Sequence, residues 1–211
     1  MKIWAHRGCS QMYPENTITA FSKAIEIEGL TGIELDIQMT KDGEIVIIHD
    51  ERVDRTTDGT GYVKDFTYLQ LRKLAIGTGT GRKERIPAIQ EVLDLIQSRM
   101  KEGLLLNIEL KNSEIPYDGM EEKIMELAAD RGLRGQVVYS SFYTRSLQKI
   151  REIDADTSIG VLDTKISDCL YKKTGCFGWR EAQKESQEQN KSAKTALHPF
   201  WKGMDLTKEQ L

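Results

Sequence analysis

Glu34 and Asp36 stand two positions apart in an otherwise apolar run within Gly32 to Asp50, GIELDIQMTKDGEIVIIHD. If Ile33 to Met39 is a β-strand, its period of two puts both carboxylates on one face and Ile33, Leu35 and Ile37 on the other. Two acids on one strand face repel unless positive charge lies between them, and a divalent cation with oxygen ligands supplies it. Lys41-Asp42-Gly43 predicts a tight turn, and Ile45 to Ile48 a returning strand that ends in His49-Asp50. The turn thus carries an imidazole back toward the acids. A surface hairpin with solvated acids is the alternative.

Asn107-Ile108-Glu109-Leu110-Lys111 repeats the pattern, with Glu109 and Lys111 facing the same way. Glu109 completes a three-carboxylate ligand set for a hard cation, leaving positions for water and substrate oxygens. Lys111 balances surplus negative charge or holds an anion; a strand-end salt bridge is the plainer reading. Near the N-terminus, His6-Arg7 adds a proton-transfer group and a planar donor fork matched to phosphate. A cation between acids, two imidazoles and an anion-binding Arg and Lys suit phosphoryl transfer. One ring would deprotonate the nucleophile and the other protonate the leaving oxygen.

The elements that must position these groups alternate. A strand is expected from Lys2 to Ala5, and a helix capped by Asn16 or Thr17 that buries Ile18, Phe21, Ala24 and Ile25 and ends near Gly29. After the hairpin, residues 51–86 form an excursion above the core, with Thr67-x-x-Gln70 as a capping box for a short helix carrying Leu71 and Leu74. A helix through Ile89, Val92, Leu93 and Ile96 follows, then a strand from Leu104 to Lys111 and a helix through Met120, Ile124, Leu127 and Ala128. Val137 to Ser140 is a strand, Leu147 and Ile150 mark a helix, Ser158 to Leu162 is a strand, and Thr195 to Pro199 a short sixth one. Such alternation argues for a parallel sheet, doubly wound or closed as a barrel. His6, Glu34, Asp36, Glu109, Lys111 and Ser141 fall at or beyond the C-terminal ends of different strands, which favours the barrel. Gly77-x-Gly79-x-Gly81 follows a helix rather than a strand and reads as a flexible loop, not a phosphate loop.

Composition bounds the rest. The 211 residues suffice for one substantial core, and 39% hydrophobic with 30% charged residues is that of a soluble globular domain. A net charge of -3 argues against nucleic acid as a partner. No apolar stretch approaches the roughly 18 to 20 residues that span a bilayer, so no stable membrane insertion is expected. MKIWAHRG enters a first strand without a signal-peptide core, and Cys9, Cys169 and Cys176 lack zinc-like spacing, consistent with reduced thiols in the cytoplasm.

His6-Arg7-Gly8, Pro14-Glu15-Asn16-Thr17, Ile33-Glu34-Leu35-Asp36, Thr40-Lys41-Asp42-Gly43, His49-Asp50, Arg55-Thr56-Thr57 and Ile108-Glu109-Leu110-Lys111 occur in that order. Together they resemble the signature of the glycerophosphodiester phosphodiesterase family, over roughly Met1 to Pro199. The resemblance implies a TIM (β/α)8-type barrel that hydrolyses small-molecule glycerophosphodiesters, such as glycerophosphocholine or glycerophosphoethanolamine, to glycerol 3-phosphate and an alcohol with Ca²⁺ or Mg²⁺. By motif, Glu34, Asp36 and Glu109 would hold the metal, His6 and His49 act as acid and base, and Arg7 and Lys111 contact phosphate. In relatives the glycerol hydroxyl attacks first, and water opens the resulting cyclic phosphate. The excursion would border the glycerol pocket.

The chain departs from that pattern toward its C-terminus. Six parallel strands are expected where a closed barrel needs eight, with the last two absent and a polar insertion at about 175–194 within a single catalytic domain spanning 1–211. Trp179 does not replace the family's Trp, since its surroundings lack strand character, and Asp205 to Gln210 starts a helix. A fragment, a second copy completing the open barrel, and a tolerated gap are the competing explanations. The rival functions are a non-catalytic phosphodiester-binding remnant and a phospholipase-D-like relative acting on lysophospholipids.

Overall fold

The computed structural model describes residues 3–77, 83–163 and 195–199. β1 (Trp4–His6) lies parallel to β2 (Gly32–Met39), and β3 (Ile45–Ile47) turns back antiparallel from the end of β2. On the other side of β2 follow β4 (Leu105–Leu110), β5 (Val137–Ser141), β6 (Ser158–Asp163) and β7 (Thr195–Pro199), each parallel to its neighbour. The six parallel strands and one antiparallel return match the expected alternation. Among the described residues β1 and β7 end the strand path, and no pairing between them is present. The loss of two final strands, the insertion at 175–194, Trp179, the helix from Asp205, Cys169, Cys176, and Gly79 and Gly81 all lie outside the described residues.

Helices α1 (Ile18–Ala24), α2 (Tyr68–Leu71), α3 (Ile89–Lys101), α4 (Met120–Asp130) and α5 (Thr144–Ile153) connect the strands. Ile33, Leu35 and Ile37 of β2, Leu106 and Ile108 of β4 and Tyr139 of β5 pack with Phe21, Val92, Leu93, Ile96, Ile124 and Leu147 of the helices in one apolar cluster. Alternation therefore turns Glu34, Asp36, Asn107 and Glu109 to the opposite sheet face, which is polar yet largely buried. Among the described residues no helix is long and apolar enough to cross a membrane.

Thr17, not Asn16, caps α1, its hydroxyl accepting from the Ala20 amide at 3.2 Å. α1 stops at Ala24 instead of running to Gly29, because turns through Glu26 to Gly29 must return the chain so that Thr31 N–H meets the Ile3 carbonyl at 2.8 Å. The first strand begins at Trp4 and includes His6.

The excursion after β3 has its own small core of Val53, Val63, Leu71, Ile76 and Ile86, into which Val46 and Ile48 project. Ile45 and Ile47, of opposite parity, belong to the main cluster. The returning arm thus carries one face in each core. The expected capping box at α2 is present, Thr67 Oγ1 accepting from Gln70 N–H while Gln70 Oε1 accepts from Thr67 N–H. Leu74 falls beyond the helix, whose last residue is Leu71.

Candidate active site

Parallel register sets His6 opposite Glu34 and Asp36 opposite Glu109. Carboxylate oxygens of Glu34, Asp36 and Glu109 lie within 4.8 Å of one another. Glu34 and Asp36 are buried, and burial, followed by the neighbouring Asp36 and Glu109 charges, holds the Glu34 carboxyl well above its ordinary pKa. Burial and Asp36 likewise raise Glu109. Glu34 Oε1 and Asp36 Oδ1 are buried without a hydrogen-bond partner. Hard oxygen donors with unsatisfied lone pairs and mutual repulsion fit a cation such as Ca²⁺ or Mg²⁺, whose charge would answer both costs.

The loop after β1 wraps this cluster. Gly8 has φ +76°, and a Cβ there would meet the Ala20 backbone at 2.8 Å, so only glycine lets the loop lie on α1. Arg7 (φ 53°) and Asn16 (φ 56°) also hold left-handed backbones. This curls Arg7 N–H onto Glu34 Oε2 at 2.9 Å. Arg7 Nε lies 3.2 Å from Asp36 Oδ2 in ion-pair contact without hydrogen-bond alignment, while Nη1 donates to Glu15 Oε1 at 3.0 Å. Asn16 Nδ2 donates to Asp36 Oδ2 at 2.9 Å. His6 Nε2 stands 3.8 Å from Glu34 Oε2.

The opposite flank is built from β4 and the end of the hairpin. Lys111 Nζ reaches Glu109 Oε1 at 2.6 Å, Asp36 Oδ1 at 3.5 Å and His49 Nε2 at 2.9 Å. Burial acts to lower the Lys111 ammonium, but the Asp36 and Glu109 charges outweigh it and its pKa is raised. His49 Nδ1 lies 2.6 Å from Asp50 Oδ1. The His49 carbonyl accepts from Gln38 Nε2 at 3.1 Å, and Gln38 Oε1 accepts from the Tyr117 hydroxyl at 2.7 Å.

His6, Arg7, Glu34, Asp36, His49, Glu109 and Lys111, all singled out from sequence, therefore form one continuous chain of contacts. Ser141 does not join it: its hydroxyl donates to the Leu110 carbonyl and lies 3.1 Å from Asn112 Oδ1, fastening β5 to β4. Burial, then Glu26, pushes the Cys9 thiol up against a smaller opposing effect of Lys23, which disfavours the nucleophilic thiolate. Glu15, Asp50 and Arg55 have no role legible in the sequence, and Asn16, a candidate helix cap there, instead holds Asp36. Their only signal was a polar type inside a motif, since Arg55 reaches Glu15 across 40 positions.

The glycerophosphoryl diester phosphodiesterase family profile matches residues 6–173. A protein named glycerophosphodiester phosphodiesterase from Caldanaerobacter subterraneus is 46% identical over 163 residues, covering 76% of this chain and 65% of the relative. One of the same name from Bacillus altitudinis is 42% identical over 179 residues, covering 82% and 71%. This chain thus spans about two thirds of the length of these curated relatives. The crystal structure of a glycerophosphodiester phosphodiesterase from Agrobacterium tumefaciens superposes with a TM-score of 0.66 at 30% identity, covering 77% of this chain and 67% of that one. The family and this neighbour imply a TIM-barrel-like α/β fold, of which the described residues show the parallel sheet. The profile match across most of the chain, over a fold and a cluster of polar side chains that agree with it, shows that this protein belongs to the glycerophosphoryl diester phosphodiesterase family.

Proposed function

We propose that this chain carries the site of a divalent-cation-dependent hydrolase of glycerophosphodiesters, releasing glycerol 3-phosphate and an alcohol. The observation that carries the reading is the cluster of buried Glu34 and Asp36 with the partly buried Glu109, oxygens within 4.8 Å and two of them without a hydrogen bond, bordered by His6 on the β1 side and His49 on the β4 side. Three ionised acids against Arg7 and Lys111 leave one surplus negative charge. A divalent cation turns that surplus into one positive charge, complementary to a monoanionic phosphodiester. Held by the three carboxylates, the cation would supply neutralisation of charge developing on phosphate oxygens. The planar fork of Arg7 and the ammonium of Lys111 bind the non-bridging oxygens and orient the diester. One imidazole takes the proton of the glycerol hydroxyl adjacent to the ester as that oxygen attacks phosphorus, and the other delivers a proton to the departing alcohol oxygen. Water then opens the cyclic phosphate with the two roles exchanged.

Incubation of the purified chain with glycerophosphocholine or glycerophosphoethanolamine, with and without EDTA, tests the reading by glycerol 3-phosphate release. Turnover is expected to stop with chelator and to fall roughly 10²- to 10⁴-fold in His49→Ala and in Glu109→Gln. Turnover that survives EDTA or both substitutions counts against this site. Diester binding without turnover favours a binding remnant instead.

A further inference from the structure

The network behind His49 and Arg7 converges on one side chain of the excursion. Arg55 Nε and Nη2 donate to Asp50 Oδ2 and Oδ1 at 2.6 and 3.0 Å. Its Nη1 and Nη2 donate to Glu15 Oε2 and Oε1 at 3.0 and 2.7 Å. A single guanidinium therefore grips both oxygens of two carboxylates, a geometry that its planar fork allows and an ammonium cannot reproduce. Each carboxylate in turn holds a residue of the proposed site: Asp50 meets His49 Nδ1, and Glu15 meets Arg7 Nη1.

The contacts on His49 define its tautomer. The Lys111 ammonium has only protons to offer, so His49 Nε2 at 2.9 Å is the acceptor, and the neutral ring carries its proton on Nδ1, toward Asp50. An Asp carboxylate held at one oxygen could rotate and release that N–H. Asp50 is held at both. We propose that Arg55 is a positioning residue that sets the His49 tautomer through Asp50 and the placement of Arg7 through Glu15, an inference that rests on the roles proposed above for His49 and Arg7. Burial opposes ionisation of Asp50, yet hydrogen bonds from Arg55 and then His49 pull its pKa down to about 2, so it is a carboxylate at neutral pH. Glu15, lifted by burial, is brought below its ordinary value by Arg55 and Arg7.

The test uses the full chain labelled with ¹⁵N-histidine. Two-bond ¹H–¹⁵N spectra, with His49 assigned by its absence in His49→Ala, report which ring nitrogen carries the proton in the wild type, Arg55→Met and Arg55→Lys. The wild type is expected to show one neutral tautomer, protonated on Nδ1, and Arg55→Met a mixture of both. Arg55→Lys, which keeps the charge but not the fork, should fall between them and supplies the reading if Arg55→Met does not fold. In turnover, Arg55→Met should lower kcat on the order of 10- to 100-fold and also raise KM. The two arms should separate: Asp50→Asn lowers kcat with little change in KM, whereas Glu15→Gln raises KM with little change in kcat. Loss of general stability would not divide in that way. An unchanged His49 tautomer in both Arg55 variants overturns the inference. Because the spectra need neither cation nor substrate, a wild type without turnover but with an Arg55-dependent tautomer counts against the proposed function alone.

Discussion

Asn16 combines a left-handed backbone with a side chain that touches a carboxylate of the proposed cation site. Its amide N–H takes Oδ2 of Asp36 and leaves Oδ1, which has no hydrogen bond and only the Lys111 ammonium at 3.5 Å, for the cation. Replacing it by alanine removes that hydrogen bond and adds the steric cost of φ 56°; replacing it by glycine removes only the hydrogen bond. Both variants should therefore weaken Ca²⁺ or Mg²⁺ binding about equally, roughly tenfold by calorimetric titration. Alanine alone should carry a further stability loss of about 1 kcal/mol in metal-free denaturant melts. Equal affinity to wild type in both would remove Asn16 from the site. The shared face of Glu34 and Asp36 was legible from strand periodicity alone, whereas the β2–β4 register sets Glu109 beside Asp36. The role of Asn16 was not legible, because the left-handed turn that aims it follows from contacts of the β1 loop and not from its own neighbours.

The excursion between β3 and α3 is an element with a core of its own, joined to the sheet chiefly through Val46 and Ile48. Leu71 is fully buried in that small cluster, so Leu71→Ala should open a cavity worth roughly 2–5 kcal/mol. The loss should fall locally. Hydrogen exchange is expected to show deprotected amides between Val53 and Ile76 while β4 and β5 keep their protection, since the main cluster shares no side chain with Leu71. Uniform deprotection would show that the two clusters unfold together. Alternation of Ile45, Val46, Ile47 and Ile48 hinted that both faces of the returning arm are covered. It did not reveal what covers the second face, because the small core is assembled from residues too irregularly spaced to show a period. The capping box at Thr67 was readable because both of its hydrogen bonds close within four residues.

Across the whole molecule the acidic cluster ties stability to cation and pH. The folded-state pKa of Glu34 lies well above its ordinary value, so the metal-free fold favours the protonated carboxyl. That contribution is present below the unfolded pKa of about 4.3 and is lost as pH rises through the higher folded value. The Tm of the metal-free protein should accordingly decline from about pH 5 toward neutral. Saturating Ca²⁺ or Mg²⁺ at neutral pH should restore it, with about 2.7 kcal/mol of stabilisation at a hundred times the Kd. A cation-insensitive Tm would argue that the three carboxylates are not ligands. By itself, the sequence determined the alternation of strands and helices, the faces on which the paired acids lie and the arrival of His49 at the end of a hairpin, because each follows from periods and turns a few residues long. Only the tertiary structure decided that Arg55 would join Asp50 to Glu15, that Lys111 would meet His49 and that Asn16 would hold Asp36. Those contacts bridge separations of up to 62 positions, where sheet register and loop path, rather than local pattern, set which side chains meet.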